Sequence, residues 1–331
     1  MALATGNNVQ TALRLMNGKM YATTVSGGAN GLGAVFEWDP ATNVYTDIFD
    51  LTGPNPGNGY NFLCNVTPYN NKIYCASWQG AANGGGALYM IDPTLPNGSN
   101  TTVVKVFDVT SGTSCNNNEM VVYNNKLYGT LYYNGAGSYG TLFQLDPATN
   151  IFTKLLDFNY TTTGGNPVGK LVLNGTKFLG MCNTGGANGT GTIYEWDPAS
   201  PNTVVKKYDF GVNNYDNAYR PGATFTLFNS KFYSTTYNGG FNDQGTMFEY
   251  DYAAGTVTKK LNFNTAENGR IPLGRPTLLN GKIYGTCYTA PQPDGGCIWE
   301  YDPSTTVYSR KFNFDYNTSS GVGNHPTASP I

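Results

Sequence analysis

Seven residues ahead of a lysine that recurs through the chain stand Ala12, Asn65, Glu119, Lys170, Thr224 and Arg275. Glu119 and Arg275 break that column, and a break in a repeat is where a scaffold would place chemistry. A carboxylate there could protonate a leaving group or activate a water. Cleaving a glycosidic bond takes two matched carboxyl groups, and Glu119 has no unrepeated mate. The other acids fall mostly in columns of their own: Asp39, Asp92, Asp146, Asp197, Asp251 and Asp302; Glu37, Glu195, Glu249 and Glu300; Asp50, Asp108, Asp157 and Asp209, continued by Asn262 and Asn313. Recurrence of this kind reads as structure, so no residue is assigned a catalytic role.

The inventory closes other chemistries. His325 is the only histidine, so neither a Ser-His-Asp triad nor a multi-histidine metal site can be assembled. No P-loop is present, and the glycine doublets fall in hairpin loops rather than ahead of helices. Asp216 or Asp243 could join loop carbonyls around calcium, but no EF-hand spacing surrounds them. The six cysteines form no CxxC pair and no Cys/His cluster. Cys287 and Cys297 flank one hairpin and could be cross-linked, and Cys64 and Cys115 could meet at one rim. Most are read as reduced, buried small residues. No metal and no cofactor is expected.

Recognition suits the remaining residues better. Tyr60, Tyr215, Tyr219, Arg220, Arg270 and Arg275 lie in long connections rich in Asn, Gly and Thr, while Trp78, Tyr132, Tyr237 and Tyr288 end strand-like runs beside them. Rings cover the apolar faces of sugars while amides and guanidinium groups bond hydroxyls. With Glu119, these make up the candidate ligand-binding set. The plain alternative is that each one finishes or solubilises a loop.

The elements that must position them come from a repeat. The phrase GAVFEWDP at 33–40 returns as GALYMIDP, GTLFQLDP, GTIYEWDP, GTMFEYDY and GCIWEYDP, and its Asp column is spaced 53, 54, 51, 54 and 51 residues apart. A period near fifty with four strand-like runs is that of a propeller blade. Each repeat reads as an apolar strand, an NGK-type two-residue turn, a second strand, a glycine-rich loop, a third strand closed by Asp-Pro, and a fourth strand. The second strand pairs a large residue (Tyr21, Tyr74, Tyr128, Leu179, Tyr233, Tyr284) with a small one (Ala22, Cys75, Gly129, Gly180, Ser234, Gly285). The rings are expected between blades, and the small residues where chains approach closely near the axis. The NGTK of residues 174–177 is read as carrying one inserted residue.

The expected fold is all-β: a six-bladed β-propeller of four-stranded antiparallel blades in a single domain over residues 1–331. The blades are placed at about 9–51, 61–109, 118–159, 168–211, 222–264 and 273–315, and 316–331 is a C-terminal tail. That tail, ending GNHPTASPI, echoes the start of another first strand and is expected to patch the seam of the ring rather than reach a neighbouring subunit.

The NGKIY runs, the glycine doublets Gly27-Gly28, Gly185-Gly186, Gly239-Gly240 and Gly295-Gly296, and the EYDP closures together resemble kelch-type repeats. The GG…GT(V/I/M)F form is closer still to the tandem-repeat propellers of bacterial surface proteins. The resemblance covers roughly residues 9–326 and departs from the kelch pattern in repeats two and three, where the glycines are displaced or single. It implies a propeller scaffold and no particular chemistry.

Composition bounds the partners. Charged residues make up 12% of the chain and the net charge is −2, too little positive charge to neutralise phosphates, so nucleic acid is not expected. No apolar run of membrane-spanning length occurs, so no membrane insertion is expected. The start, MALATGNNVQTALRL, lacks the charged and apolar regions of a secretory signal. A surface rich in Tyr, Asn and Gly without an export signal suggests a protein carried out of the cell in a particle. The expectation is therefore a non-enzymatic recognition or assembly module. It would sit on a phage virion, as a decoration, spike or receptor-binding protein, or on a bacterial surface as an adhesin. Its partners would be a cell-surface glycan or protein, or neighbouring subunits. The rival reading is a carbohydrate-active lyase or hydrolase with an acid in the propeller mouth; a cytosolic kelch-like adaptor is the weakest alternative.

Overall fold

A computed structural model describes residues 7–53, 59–80, 84–95, 103–109, 119–211, 218–264, 268–290, 294–315 and 326. The chain is an all-β propeller of six four-stranded antiparallel blades. It divides into two compact units, Met1–Phe158 and Asn159–Ile331, with three blades in each. Among the described residues no helix is long and apolar enough to cross a membrane.

In the first unit, blade 1 consists of Arg14–Met16, Lys19–Ser26, Ala34–Asp39 and Val44–Asp50. Blade 2 consists of Thr67–Tyr69, Lys72–Ala76, Ala87–Ile91 and Val103–Asp108. Blade 3 is Val121–Tyr123, Lys126–Leu131, Thr141–Asp146 and Ile151–Asp157. In the second unit, blade 4 is Gly165–Asn174, Lys177–Thr184, Thr192–Trp196 and Val204–Asp209. Blade 5 is Thr226–Phe228, Lys231–Gly239, Thr246–Asp251 and Thr256–Asn262. Blade 6 is Thr277–Leu279, Lys282–Cys287, Asp294–Asp302 and Val307–Asp315. Two further segments, Asn7–Val9 and Ala218–Pro221, extend the first strands of blades 1 and 5 after a break, pairing on the same second strands.

Local chemistry explains these hairpins. Asn17-Gly18, Asn70-Asn71, Asn124-Asn125, Asn229-Ser230 and Asn280-Gly281 all hold positive φ at both turn positions, the left-handed geometry that matches the twist of paired strands. In blade 4 the strands close on Asn174 facing Lys177, so Gly175-Thr176 is a turn of the same length. No residue is inserted there; Asn174 belongs to the strand. At the other end of each blade the recurrent Asp accepts amide hydrogens two residues on, Ala41 to Asp39 at 2.8 Å, Ala199 to Asp197 at 2.9 Å and Ser304 to Asp302 at 2.9 Å among them. Every pair of third and fourth strands then slips register at the bond before Phe36, Tyr89, Phe143, Tyr194, Phe248 or Trp299, blade 6 slipping again between Asp294 and Cys297, a bulge that increases twist.

The small column has a different cause from approach near the axis. Gly129, Gly180 and Gly285 face Phe143, Tyr194 and Trp299 across the strand pair, and each ring lies over its glycine. A Cβ on Gly285 would sit 2.6 Å from Trp299 Cε2 and 2.9 Å from Cη2. Where the ring lies over the facing position glycine stands beneath it, whereas Phe36, Tyr89 and Phe248 coexist with Ala22, Cys75 and Ser234.

The strand-two lysine is paired in every blade: Lys19 with Glu37, Lys72 with Asp92, Lys126 with Asp146, Lys177 with Glu195, Lys231 with Asp251 and Lys282 with Glu300. The strand-two tyrosine hydroxyl donates at 2.6 Å to that same glutamate in blades 1 and 6, and in blade 5 to Glu249, beside the Lys231–Asp251 pair. Blade 4 has Leu179 instead, and there Glu195 receives the hydroxyl of Tyr252 from the neighbouring blade. Tyr252 is the residue that interrupts the Asp-Pro column, so two departures from the repeat compensate for each other. Tyr252→Pro is expected to cost about 1 kcal/mol of stability, and adding Leu179→Tyr to recover most of it. Chemical denaturation of the three variants checks this, and additive losses would refute the compensation.

Candidate recognition surface

Glu119 lies ahead of the first strand of blade 3, and its carboxylate reaches past blade 2. Arg14, on the first strand of blade 1, donates from Nε at 3.0 Å and from Nη2 to the same oxygen of Glu119. The pair is largely withdrawn from solvent, with side-chain exposures of 22% and 10%. Glu119 thus has a mate, and it is a cation rather than a second carboxylate. The rest of the column is structural as well. Asn65 Oδ1 accepts the Ala12 amide at 2.8 Å, and Thr224 Oγ1 accepts the Lys170 amide at 2.8 Å. A side chain in one blade closes the backbone of the blade before it.

Beside Glu119 lies a small pocket walled by Leu88, Met120, Leu131 and Phe143 with Asn65 and Thr130. It holds one carboxylate and apolar surface, with no second acid.

The columnar acids are committed in the same way. Each carboxylate whose side chain is described receives a hydrogen bond or ion pair from the protein. Asp47 takes the Tyr45 hydroxyl at 2.6 Å, Asp50 the Ala29 amide at 3.0 Å, Asp209 the Ala187 amide at 2.8 Å and Asp108 the Lys105 ammonium at 2.8 Å. The strand-four acids also explain the second glycine of two doublets and the single Gly135, because a Cβ on Gly28, Gly186 or Gly135 would collide with Asp50, Asp209 or Asp157. Wherever a carboxyl group's titration is displaced, it is displaced downward. The Ala41 amide does this at Asp39, Lys126 at Asp146, Lys231 at Asp251 and the Ser304 hydroxyl at Asp302. Burial opposes the effect at Asp92 and Glu195 but is outweighed by Lys72 and Tyr252. Lys282 and then Tyr284 hold Glu300 down at about 2. Asp243 accepts from Tyr219 at 2.5 Å, Gly239 at 2.7 Å and Asn238 at 3.2 Å, so its oxygens serve the loop. Among the described residues no group of His, Cys, Asp and Glu could hold a metal ion.

The candidate ligand-binding residues divide by environment. Tyr219 is buried, with its hydroxyl on Asp243. Tyr237 is half-buried, its ring against Gly222 and its hydroxyl on the Gly222 carbonyl at 3.3 Å, and burial pushes its pKa up to about 12. The Tyr60 hydroxyl donates to Gln79 at 2.8 Å, and Arg270 Nε donates to Thr289 at 2.5 Å. Trp78 and Tyr288 are half-buried, and their amides bond the carbonyls of Asn61 and Ile271 at 2.7 and 3.0 Å. Arg275 is half-buried. Arg220 is exposed, at φ +55°. Tyr132 is half-buried, edge-on to Tyr133 with ring centroids 4.5 Å apart. Tyr215 lies outside the described residues, as do His325, Asp216 and Cys115. Cys64 is disulfide-bonded, while Cys75, Cys182, Cys287 and Cys297 are buried free thiols.

Sequence reasoning passed over three exposed rings in the loops. Tyr133 is 40% exposed and Phe241 65%, both in loops between second and third strands, and Tyr160, in the connection into blade 4, is 38% exposed. A signal was present for Phe241, which stands where the corresponding GGAN loops carry Ala29 and Ala187.

Of the tail, Pro326 is described. It packs on Gly296 of blade 6, where a Cβ would lie 2.5 Å from its Cδ. Pro221 and Pro272 stand in the same relation to Gly191 and Gly245, each at 2.8 Å. Pro326 thus meets blade 6 as the lead-in of a following blade would.

A sequence profile of the Gloeobacter/Verrucomicrobia repeat matches residues 2–193 and again residues 161–330. The chain belongs to that family. No curated protein is recognisably similar to this Gloeobacter/Verrucomicrobia repeat chain. Among solved structures, the extracellular domain of a one component system from B. thetaiotaomicron aligns over 98% of the chain at 11% identity with a TM-score of 0.60, and the chain spans 36% of its length. An oligogalacturonate lyase in complex with manganese aligns over 94% of the chain and 79% of the lyase, at 12% identity and a TM-score of 0.58. The β-propeller domain of the Trilobed protease from Pyrococcus furiosus aligns over 93% of the chain and 84% of that domain, at 10% identity and a TM-score of 0.53. At such identities the likeness is one of fold alone.

Proposed function

We propose that this Gloeobacter/Verrucomicrobia repeat propeller is a non-enzymatic recognition module working outside the cell, on a virion or a bacterial surface. It would bind glycan or protein through the loops between second and third strands and the connections between blades. The observation that carries this reading is the commitment of the acids: each carboxylate whose side chain is described already receives a hydrogen bond or ion pair from the protein, Glu119 from Arg14 among them, which leaves none of them placed as a free general acid. Exposed rings stand in these loops, at Tyr133, Tyr160 and Phe241. The disulfide at Cys64 favours an oxidising setting.

Binding of the purified chain to intact bacterial cells and to a glycan array tests the proposal, with Tyr133→Ser, Phe241→Ser and Glu119→Gln as variants. The loop variants are expected to weaken binding about tenfold or more at unchanged melting temperature, and Glu119→Gln to bind as the parent does. Glycan turnover abolished by Glu119→Gln would overturn the reading in favour of a lyase or hydrolase. Absence of binding in every arm would remove the glycan and cell-surface partners and leave assembly with neighbouring subunits, which sedimentation reads.

A further inference from the structure

Cys287 and Cys297 face one another across the second and third strands of blade 6. Both are fully buried, and both sulfurs lie against the Asn268 carbonyl oxygen, at 3.8 and 3.7 Å. The other blades measure what this register does to facing side chains. In blade 5 the positions are Thr236 and Thr246, whose γ oxygens are 2.8 Å apart. In blades 1 and 2 the hydroxyls of Thr24 and Ser77 take the facing amides of Ala34 and Ala87 at 2.9 and 3.0 Å. The backbone thus brings γ atoms at these positions into bonding reach, and in blade 6 both γ atoms are sulfur. Facing Cα atoms of an antiparallel pair are about 4.5–5.5 Å apart, inside the span of roughly 4.4–6.8 Å that a disulfide needs. Blade 4 supplies a contrast, with Cys182 facing Thr192.

We propose that Cys287 and Cys297 are joined by a disulfide in the oxidised protein, stapling the second and third strands of blade 6. The oxidant is a small disulfide such as oxidised glutathione. The Cys297 thiolate attacks one of its sulfurs, breaking that S–S bond and releasing one glutathione thiolate. The Cys287 thiolate then attacks the Cys297 sulfur of the mixed disulfide and releases the second. Two protons leave the cysteines, and two electrons pass to glutathione. Because both sulfurs are buried, the exchange belongs to folding, before blade 6 packs. Once closed, the staple is shielded from external thiols.

The experiment is to refold the full chain in a buffer of reduced and oxidised glutathione, denature it without reductant in iodoacetamide, and digest it with trypsin. Both cysteines fall on the peptide of residues 283–310. The expected product is that peptide without alkylation and two hydrogens lighter, with Cys75 and Cys182 alkylated. A doubly alkylated 283–310 peptide overturns the proposal, and so does a linkage of Cys287 or Cys297 to any other cysteine.

Discussion

Gly285→Ala is expected to cost about 3 kcal/mol of stability, near the upper end for a single added methyl group in a packed core, and to lower the melting temperature by roughly 4 °C. The backbone at Gly285 is ordinary extended strand, so the penalty is steric rather than conformational. The new Cβ would meet the indole of Trp299, which is fully buried and packs 5.7 Å, centroid to centroid, from Phe263. The indole cannot swing away without displacing the core that also contains Met247, Ile283 and Tyr301. Trp299→Phe shrinks the ring that lies over residue 285, and blade 1 shows that a phenyl ring tolerates alanine at this position. The double variant Gly285→Ala/Trp299→Phe should therefore be more stable than the sum of the single losses implies. Denaturant melts of the four proteins measure the coupling. Strict additivity would refute the ring-over-glycine account.

Glu300 gives the second large effect, and it depends on pH. Its buried carboxylate receives Lys282 at 2.8 Å, the Tyr284 hydroxyl at 2.6 Å and Lys311 at 3.1 Å. These donors hold its pKa at about 2, below the ordinary 4.5. A carboxyl group whose folded pKa is depressed contributes stability that is fully present above the unfolded value and lost as pH falls through the folded one. The window therefore runs from about pH 4.5 down to about 2. A shift of this size corresponds to at most about 3 kcal/mol. Both lysines are some 40–45% exposed, so solvent screening reduces the expected contribution to about 1–2 kcal/mol. Glu300→Gln should lose that amount at pH 7 and converge on the parent near pH 2. Parallel stability curves across the window would refute the assignment.

The fold was readable in the sequence because its punctuation is local. An Asn-Gly or Asn-Asn pair at positive φ and an Asp that caps its own turn act within a few residues, so their spacing marks the strand ends directly. The balancing of Leu179 by Tyr252 was not readable, since the contact crosses blades and joins two departures 73 positions apart. The same holds for Glu119: its partner Arg14 precedes it by 105 residues, and nothing periodic links them, because the bond skips the blade between. The small column was seen, but its reason was not. A glycine under Trp299 and a glycine at a crowded axis look alike in one dimension. In the candidate surface, chemical type alone brought forward Tyr219 and Tyr237, which packing uses, while the solvent-facing Tyr133 and Phe241 were separable only by a departure from the repeat.

The joins between successive blades have one further consequence. Asn61, Arg220 and Ile271 hold φ of +59°, +55° and +54°, and their amides bond the carbonyls of Leu32, Thr190 and Gln244 in the preceding blade at 2.8, 2.8 and 3.0 Å. Each of these three bonds is made by main-chain atoms. An amide, a guanidinium and a branched aliphatic group therefore perform one task, although a β-branched residue in that conformation costs of order 1 kcal/mol or more. The architecture leaves the lettering at its seams open to mutation. Blades can diverge, be duplicated or be recombined at these points without losing the bonds between neighbours, and the residues that vary are those beside the exposed loops. The scaffold is in that sense built to be edited where it meets its surroundings.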